Sequence, residues 1–292
     1  MPPPARPPAH PGAPPGALPG APPGPPPGHR PARRLARPAI AALALAGACA
    51  GAHAQLVARG PWVELEAGWT DFARNDLGRP NDATGTRFSA LPYAGDRVAS
   101  GRLSAEMPVR WWGEGHRLRL SYVPLRLDGT APAGTAIRFQ DATFAAAAPT
   151  SLTYVFDTWR ATYSVPVFGR DDPAAGWALR AGGTLAIRDA SIRLAQPGVP
   201  GQRFDNVGPV PLLHLSAARA LGARWTVEAE LDGAPGPGGT GLWDGAARVR
   251  WALGPGWSVA AGLRHLRGGV DNDELYNIVS ATSATLSARW AF

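Results

Sequence analysis

Residues after Trp62 alternate between apolar and polar side chains with a period of two. In the segment 63–69 the apolar residues are Val63, Leu65, Ala67 and Trp69, and the residues between them are Glu64, Glu66 and Gly68. The same alternation recurs in 116–122, 225–232 and 247–251. Successive side chains of a β-strand point to opposite faces, whereas a helix needs apolar residues three and four positions apart. The pattern therefore predicts strands with one apolar and one polar face.

Ten segments of the chain are interpreted as strands on this basis. They lie near 62–72, 97–109, 116–127, 152–166, 176–189, 207–218, 224–233, 242–253, 257–266 and 278–292. Each contains at least the 9–11 residues that a tilted strand needs to cross a bilayer. Eight or twelve strands are the alternatives, because such a pattern defines strand ends poorly.

The connections between these segments fall into two classes. The gaps after the second, fourth, sixth and eighth strands are short, whereas those after the odd-numbered strands are longer and richer in Gly, Pro, Asp and Asn. Short turns at one end and long loops at the other are typical of outer-membrane barrels. The sequence thus predicts an all-β fold, a closed antiparallel up-and-down transmembrane β-barrel of about ten strands.

Most of the net positive charge of the chain comes from its first 54 residues. Five of the 29 basic residues, all of them arginine, lie in 1–54, which contains no acidic residue. The other 238 residues carry 24 arginines against 22 acidic residues, so a nucleic-acid-binding protein is not indicated. No apolar run approaches the roughly 20 residues of a membrane helix. The single cysteine, Cys49, provides no disulfide framework.

Residues 1–54 are interpreted as a leader that is removed. A Pro/Gly/Ala-rich stretch that we expect to be disordered is followed by four arginines, an apolar segment over 39–50 and the sequence Ala52-His53-Ala54. This order is typical of a secretory signal peptide cleaved near Ala54. We expect the true translation start to lie near Leu35, and a lipoprotein site at Cys49 is the second interpretation. The barrel is assigned to 55–292.

The last seven residues, Leu286-Ser287-Ala288-Arg289-Trp290-Ala291-Phe292, alternate and end on an aromatic side chain. With the signal peptide and the alternating strands, they resemble the small outer-membrane β-barrel proteins of Gram-negative bacteria. The resemblance implies a bacterial outer-membrane location and recognition of the last strand by the barrel-assembly machinery. Its other implied partners are outer-membrane lipid and lipopolysaccharide, and the protein is expected to be a monomer that binds no nucleic acid.

Tryptophans cluster near the short turns and termini of the predicted strands. An aromatic girdle at one membrane interface would have this distribution. The predicted girdle consists of Trp62, Trp111, Trp112, Trp177, Trp225, Trp251, Trp257, Trp290 and Phe292.

The polar face of each strand should line the barrel lumen. The predicted lumen-facing charges are Glu64, Glu66, Arg102, Arg117, Arg119, Arg160, Arg180, Glu228, Glu230, Asp232, Asp244, Arg248, Arg250, Arg264 and Arg289. Ten strands make a narrow barrel, in which buried charges are tolerable when they are paired. We expect an interior plugged by ion pairs, with a narrow polar pore as the alternative. Closure of the last strand on the first should bring Arg289 near Glu64 or Glu66.

Catalytic motifs are weak. His214 and Ser216 have the H-x-S spacing of the outer-membrane lipid A deacylases, and two residues of a strand share a face. However, Ala217 stands where that family has Asn. The outer-membrane aspartyl-type proteases also have ten strands, but His265 with Asp271 and Asp273 is the only comparable set.

The loop 267–274 contains three carboxylates and one amide but lacks the spacing of the twelve-residue calcium loop. It is interpreted as a solvated turn, and no metal or cofactor is expected. The sequence favours a non-enzymatic barrel with a structural or weakly permeating role. The alternatives are an enzyme acting on lipid or peptide and a surface-binding protein that uses the loops 73–96 and 128–151.

Overall fold

The computed structural model describes residues 60–110, 113–168, 172–236 and 240–292. The predicted leader over 1–54, Trp111 and Trp112 therefore lie outside the described residues. Within these ranges no helix is both long and apolar enough to span a membrane.

Most of the described residues lie in strands. Their bounds are β1 Trp62–Gly78, β2 Phe88–Ser89, β3 Arg97–Pro108, β4 Arg117–Val123, β5 Arg126–Pro132, β6 Ile137–Phe139, β7 Ala142–Phe144, β8 Pro149–Phe168, β9 Ala178–Gln196, β10 Val199–Ala220, β11 Trp225–Pro235, β12 Gly241–Gly254, β13 Trp257–Asp271 and β14 Tyr276–Ala291. One short helix, α1, spans Leu91–Ala94.

Ten of these strands form a closed antiparallel barrel. Its order around the wall is β1, β3, β4, β8, β9, β10, β11, β12, β13 and β14, and β5 continues the position of β4 along β8. β14 pairs with β1 from Ala291 opposite Trp62 to Tyr276 opposite Gly78, which closes the ring. The prediction of a ten-stranded up-and-down barrel is confirmed, and each predicted strand corresponds to one position in the wall.

The fifth connection differs from the prediction. Instead of a long loop after residue 189, β9 and β10 continue as a hairpin that turns at Pro197–Gly198, where Gly198 has a φ of 77°. The segment is rich in Pro and Gly, which suggested a loop. Ile192 and Leu194 are nevertheless buried in one apolar cluster with residues of other connections, such as Phe139, and this packing extends the strands.

The hairpin β11–β12 is much shorter than its neighbour. β10 pairs with β11 only from Leu213 to Ala220, so its segment 199–212 is an edge with a partner on the β9 side alone. Prolines at 200, 209 and 211 lack the N–H groups that would pair with an added strand. The short hairpin leaves a notch in the wall between β10 and β13.

The loops predicted over 73–96 and 128–151 contain ordered elements that cover one end of the barrel. The predicted third strand breaks at Pro124. Beyond it β5 extends the wall along β8, and β6 and β7 pair as a separate hairpin. Helix α1 packs so closely on β5 that a Cβ atom on Gly129 would collide with the carbonyl oxygen of Tyr93. We call this end the loop end, and the opposite end, where β3–β4, β8–β9, β10–β11 and β12–β13 are joined, the turn end.

Candidate functional site

The interior of the barrel is filled by a network of ion pairs. Among the described residues it contains eight arginines and seven carboxylates: Arg102, Arg117, Arg119, Arg160, Arg248, Arg250, Arg264, Arg289, Glu64, Glu66, Glu106, Glu228, Glu230, Asp232 and Asp244. None of their side chains is more than 15% exposed. Such burial is tolerable because every charge has an oppositely charged partner.

Glu230 on β11 is the centre of this network. Its Oε1 accepts hydrogen bonds from Arg102 at 3.1 Å and from Arg264 at 2.8 Å. Its Oε2 lies 2.8 Å from Arg119 and 2.9 Å from Arg248. These four arginines come from β3, β13, β4 and β12, so one carboxylate connects opposite sides of the wall.

A second carboxylate, Glu64, connects the first strand with the last ones. Its Oε2 accepts hydrogen bonds from Arg289 at 2.7 Å and Arg250 at 2.6 Å, and its Oε1 accepts one from Arg248 at 3.1 Å. Arg289 thus lies beside Glu64 at the closure of the barrel. The network therefore connects β1 with β14, the two strands whose pairing closes the barrel, and it also fills the lumen.

An apolar cluster lies between this network and the solvent at the loop end. It consists of residues from the barrel wall and from the loop elements, and its fully buried members include Leu77, Leu127, Ile137, Phe139, Phe144, Leu152, Tyr154 and Leu194. The loops are also bonded to each other, for example from Gln140 N–H to the Arg79 carbonyl at 2.9 Å. We refer to this cluster as the cap.

The outward face of the wall is apolar. Its exposed side chains include Leu65, Leu103, Leu120, Leu185, Leu213, Val249, Leu263 and Leu286, and Leu213 reaches 72% exposure. Soluble monomers rarely expose apolar surface that is continuous on such a scale. This surface is suited to contact with hydrocarbon.

Aromatic side chains border the apolar face at both ends. Near the turn end Trp225 stacks on Trp251, and Trp257 stacks on Trp290. Towards the loop end lie Trp69, Trp159 and Trp243, which are 45–58% exposed. Along β12, Trp251 and Trp243 are eight residues apart, which corresponds to about 20 Å of membrane depth for a tilted strand. Two girdles around an apolar band characterise barrels that cross an outer membrane.

The chain has the fold of an outer-membrane β-barrel. Neisserial surface protein A is similar to it, with 13% identity over 80% of this chain and 97% of that chain and a TM-score of 0.35. The β domain of the Bordetella autotransporter BrkA has 16% identity over 80% and 99%, with a TM-score of 0.44. The translocator domain of NalP from Neisseria meningitidis has 12% identity over 80% and 89%, with a TM-score of 0.41. These similarities concern Gram-negative outer-membrane barrels and the fold alone. No protein-family model and no curated protein matches the sequence.

The predicted girdle needs one correction. Trp62 is only 4% exposed, and its Nε1–H donates to Glu106 Oε1 at 3.1 Å inside the barrel. It occupies the same face of β1 as Glu64 and Glu66, so it faces the lumen rather than lipid. Trp177, Trp225, Trp251, Trp257, Trp290 and Phe292 are 39–62% exposed. The girdle formed by Trp69, Trp159 and Trp243 was not predicted, although their outward parity could have indicated it.

Fourteen of the fifteen predicted lumen charges belong to the network. The exception, Arg180, lies at the turn end, where it donates to Ser164 Oγ at 3.2 Å and to the Gly115 carbonyl at 2.6 Å. Sequence reasoning missed Glu106 and Arg188, which share the inward face of their strands with Ser104 and Thr184. Strand parity alone would have found both.

The two weak catalytic candidates lie on the inward face but are not hydrogen-bonded to each other. His214 is 1% exposed, and its Nδ1 lies 2.8 Å from Asp232 Oδ1, which also accepts the Thr184 hydroxyl at 2.8 Å. Its Nε2 has no hydrogen-bond partner among the described residues, so Ser216 does not donate to it. The arrangement provides an acid for the imidazole without the hydroxyl that nucleophilic catalysis requires.

The other sequence candidates lie at the protein surface. His265 is exposed on the outward face, where its Nδ1 lies 2.9 Å from the Thr282 hydroxyl. In the loop after it, Asp271 accepts a hydrogen bond from the Asn81 amide at 2.7 Å. No group of three or more potential metal-ligating His, Cys, Asp or Glu side chains occurs within the described ranges.

Proposed function

We propose that this protein is a non-conducting barrel of the bacterial outer membrane with a structural role. In this proposal the signal peptide over 1–54 directs export, the turn end faces the periplasm and the loop end faces the outside. The interior has no catalytic role. Short turns and long loops support this orientation, because outer-membrane barrels place them in that way.

The observation that carries the proposal is the contact between Arg102 and Glu230. β3 and β11 are five positions apart in a ring of ten strands, so they lie on opposite sides of the lumen. Their side chains nevertheless meet at 3.1 Å. Arg119, Arg248 and Arg264 reach the same carboxylate from three other strands, so side chains from both sides of the lumen meet at this level and obstruct a straight path for ions.

The remaining space in the barrel supports the same conclusion. A cavity of about 130 Å³ at the turn end is lined by Arg117, Arg180 and Arg289, among others. A second cavity, of about 70 Å³, lies between the network and the cap and is lined by Phe72, Leu125 and Arg160, among others. Network residues line both cavities, and residues of the cap line the second one at its loop-end side.

Planar-bilayer recordings of the reconstituted protein test the proposal. We expect no steady unitary conductance, while an open porin inserted under the same conditions conducts. Steady unitary currents from the protein would contradict the proposal and favour the narrow-pore alternative.

Thiol labelling provides a second test in intact membranes. The only native cysteine, Cys49, lies in the predicted leader, so one introduced cysteine is the single thiol of 55–292. Ser104→Cys replaces a lumen side chain that is 6% exposed, whereas Ser151→Cys replaces an exposed one at the loop end. We expect a charged thiol reagent to label the second variant and not the first. Rapid labelling of both variants would indicate a hydrated pore.

We also propose that β14 is the segment read by the barrel-assembly machinery and that the barrel is a monomer surrounded by lipid and lipopolysaccharide. Support comes from the outward row Leu286, Ala288 and Trp290, whose exposed side chains would contact lipid. Deletion of residues 290–292 tests this role of β14.

A further inference from the structure

Arg188 differs from the arginines of the network in having no charged partner. It lies on the inward face of β9, paired with Thr158 of β8 and Gly208 of β10. Neither a hydrogen bond nor an ion pair joins its guanidinium to any described residue. Its contact is a cation–π interaction, in which Cζ lies 5.5 Å from the centre of the Phe156 ring.

This guanidinium lines a cavity of about 240 Å³ at the loop end. Most of the lining is apolar and is formed by the side chains of Phe156, Ile192, Phe204, Val270, Leu275 and Val279. Asn206 and Asn277 add two amides, and no carboxylate is among the described residues that line the cavity. The cavity thus combines an apolar body with one positive charge that no protein group neutralises.

The notch above the short β11–β12 hairpin gives this cavity a route to the outside. The cavity is bounded by β10 at Gly208–Val210 and by β13 at Gly269 and Val270. β10 has no pairing with β11 before Leu213, and β12 ends its pairing with β13 at Gly241 opposite Gly269. No described strand therefore closes the wall between these two edges.

We propose that this cavity binds a small apolar carboxylate, with its carboxylate on Arg188. A guanidinium can hold a carboxylate through two parallel hydrogen bonds, and this pairing is strong where water is excluded. The apolar lining would cover the hydrocarbon part of the ligand. A cavity of 150 Å³ accommodates benzene, so about 240 Å³ has room for one ring with a short acidic chain.

The proposal is independent of whether the lumen conducts. The cavity lies at the loop end, beside the cap, and shares only Phe156 with the residues that line the cavity below the cap. Steady currents in the bilayer experiment would therefore not contradict this site. Absence of ligand binding would not contradict the non-conducting barrel.

The test uses the protein in phosphatidylcholine nanodiscs and 3-phenylpropionate as the probe. Binding is measured by ligand-observed ¹⁹F NMR of its 4-fluoro derivative, with empty nanodiscs as the blank for partition into lipid. The neutral 4-fluoro derivative of 3-phenylpropanol has the same body without the charge. We expect saturable binding of the acid and at least about tenfold weaker binding of the alcohol.

Three variants locate the site. Arg188→Gln should weaken binding of the acid at least about tenfold, whereas Arg193→Gln, on the outward face of the same strand, should leave it unchanged. Gly208→Leu keeps Arg188 but should abolish binding, because a Cβ there has only the Asn206 side-chain oxygen within 4 Å and would extend into the cavity. Retention of heat-modifiable gel mobility shows that each variant is folded.

The proposal is overturned if the wild-type protein shows no saturable binding of the acid or binds the acid and the alcohol equally. Equal affinity of the Arg188→Gln variant and the wild type would also overturn it. Because the comparison of acid and alcohol uses the wild-type protein alone, the test does not depend on the folding of any variant.

Discussion

The guanidinium of Arg102 lies 3.1 Å from Glu230 Oε1, although their strands face each other across the barrel. Both side chains are more than nine-tenths buried. Each side chain extends about halfway across the lumen and ends at its partner. An unpaired charge buried in the lumen would cost several kcal/mol. The bridge therefore couples opposite walls and fills the lumen at the same time.

Replacing Glu230 should destabilise the barrel strongly. Glu230→Ala leaves Arg102, Arg119, Arg248 and Arg264 without a shared partner, and breaking a buried pair costs about 3–5 kcal/mol. The free energy of unfolding in urea, followed by tryptophan fluorescence in lipid vesicles, measures the loss. The control Asp128→Ala removes an exposed pair with Arg126 and should change that free energy by less than about 1 kcal/mol. Equal losses in the two variants would contradict a buried network.

The two faces of β14 should respond differently to arginine. Leu286 is 69% exposed on the lipid side, whereas Thr285 points inward and lines the cavity of about 70 Å³. Leu286→Arg should cost up to about 2–4 kcal/mol if the site is near the bilayer midplane. Thr285→Arg should be tolerated better, because its charge enters a polar interior near Glu66. Urea unfolding in vesicles compares them, and equal destabilisation would show that the assigned faces are wrong.

Closure of the ring should depend on the last three residues. Ala291 pairs with Trp62, and Trp290 pairs with both Val63 and Trp257. Deleting 290–292 removes these pairs and leaves strand edges open, where each unsatisfied backbone group in hydrocarbon costs several kcal/mol. We expect protease-sensitive periplasmic material instead of a heat-modifiable outer-membrane form. A truncated chain that is recovered folded from the outer membrane would refute the proposed role of β14.

Weakening the cap should release the loops without unfolding the barrel. Phe139 is fully buried, and Phe139→Ala removes a ring whose loss typically costs 3–5 kcal/mol. We expect trypsin to cleave after Arg126 or Arg138 in the variant, while the wall keeps its heat-modifiable mobility. Val207→Ala, at a site 66% exposed, serves as the matched control. Cleavage patterns that are identical in the two variants would argue against a cap held by this cluster.

Strand number and strand faces could be predicted from the sequence because both depend on local periodicity. Alternation places Glu64 and Glu66 on one face of β1 and Leu65 on the other, whatever the partner strands are. Trp62 was predicted in the girdle because it is a tryptophan at the start of a strand, although its position in the alternation places it with the two glutamates. Parity was the better guide, since it determines the direction of the side chain.

The pairing of charges could not be predicted in the same way. The sequence contains the residues of the Arg102–Glu230 bridge 128 positions apart, and only the closed ring brings them together. The extended β9–β10 hairpin and the cap could not be predicted for the same reason, because both depend on contacts between segments that are distant in sequence. Their residues look like loop sequence locally, but contacts such as those of Phe139 and Leu194 with distant segments order them.

The alternation within each strand is sufficient to specify a barrel with an apolar outside and a charged inside. Which charges neutralise each other depends on the arrangement of the strands around the closed ring. Seven carboxylates engage eight arginines in the network. Arg188 is left beside an apolar cavity because no described strand fills the notch above the short β11–β12 hairpin and no described residue that lines the cavity is an acid. Whether a charge remains unpaired depends on distances between strands that are remote in sequence. The periodicity within one strand carries no information about those distances.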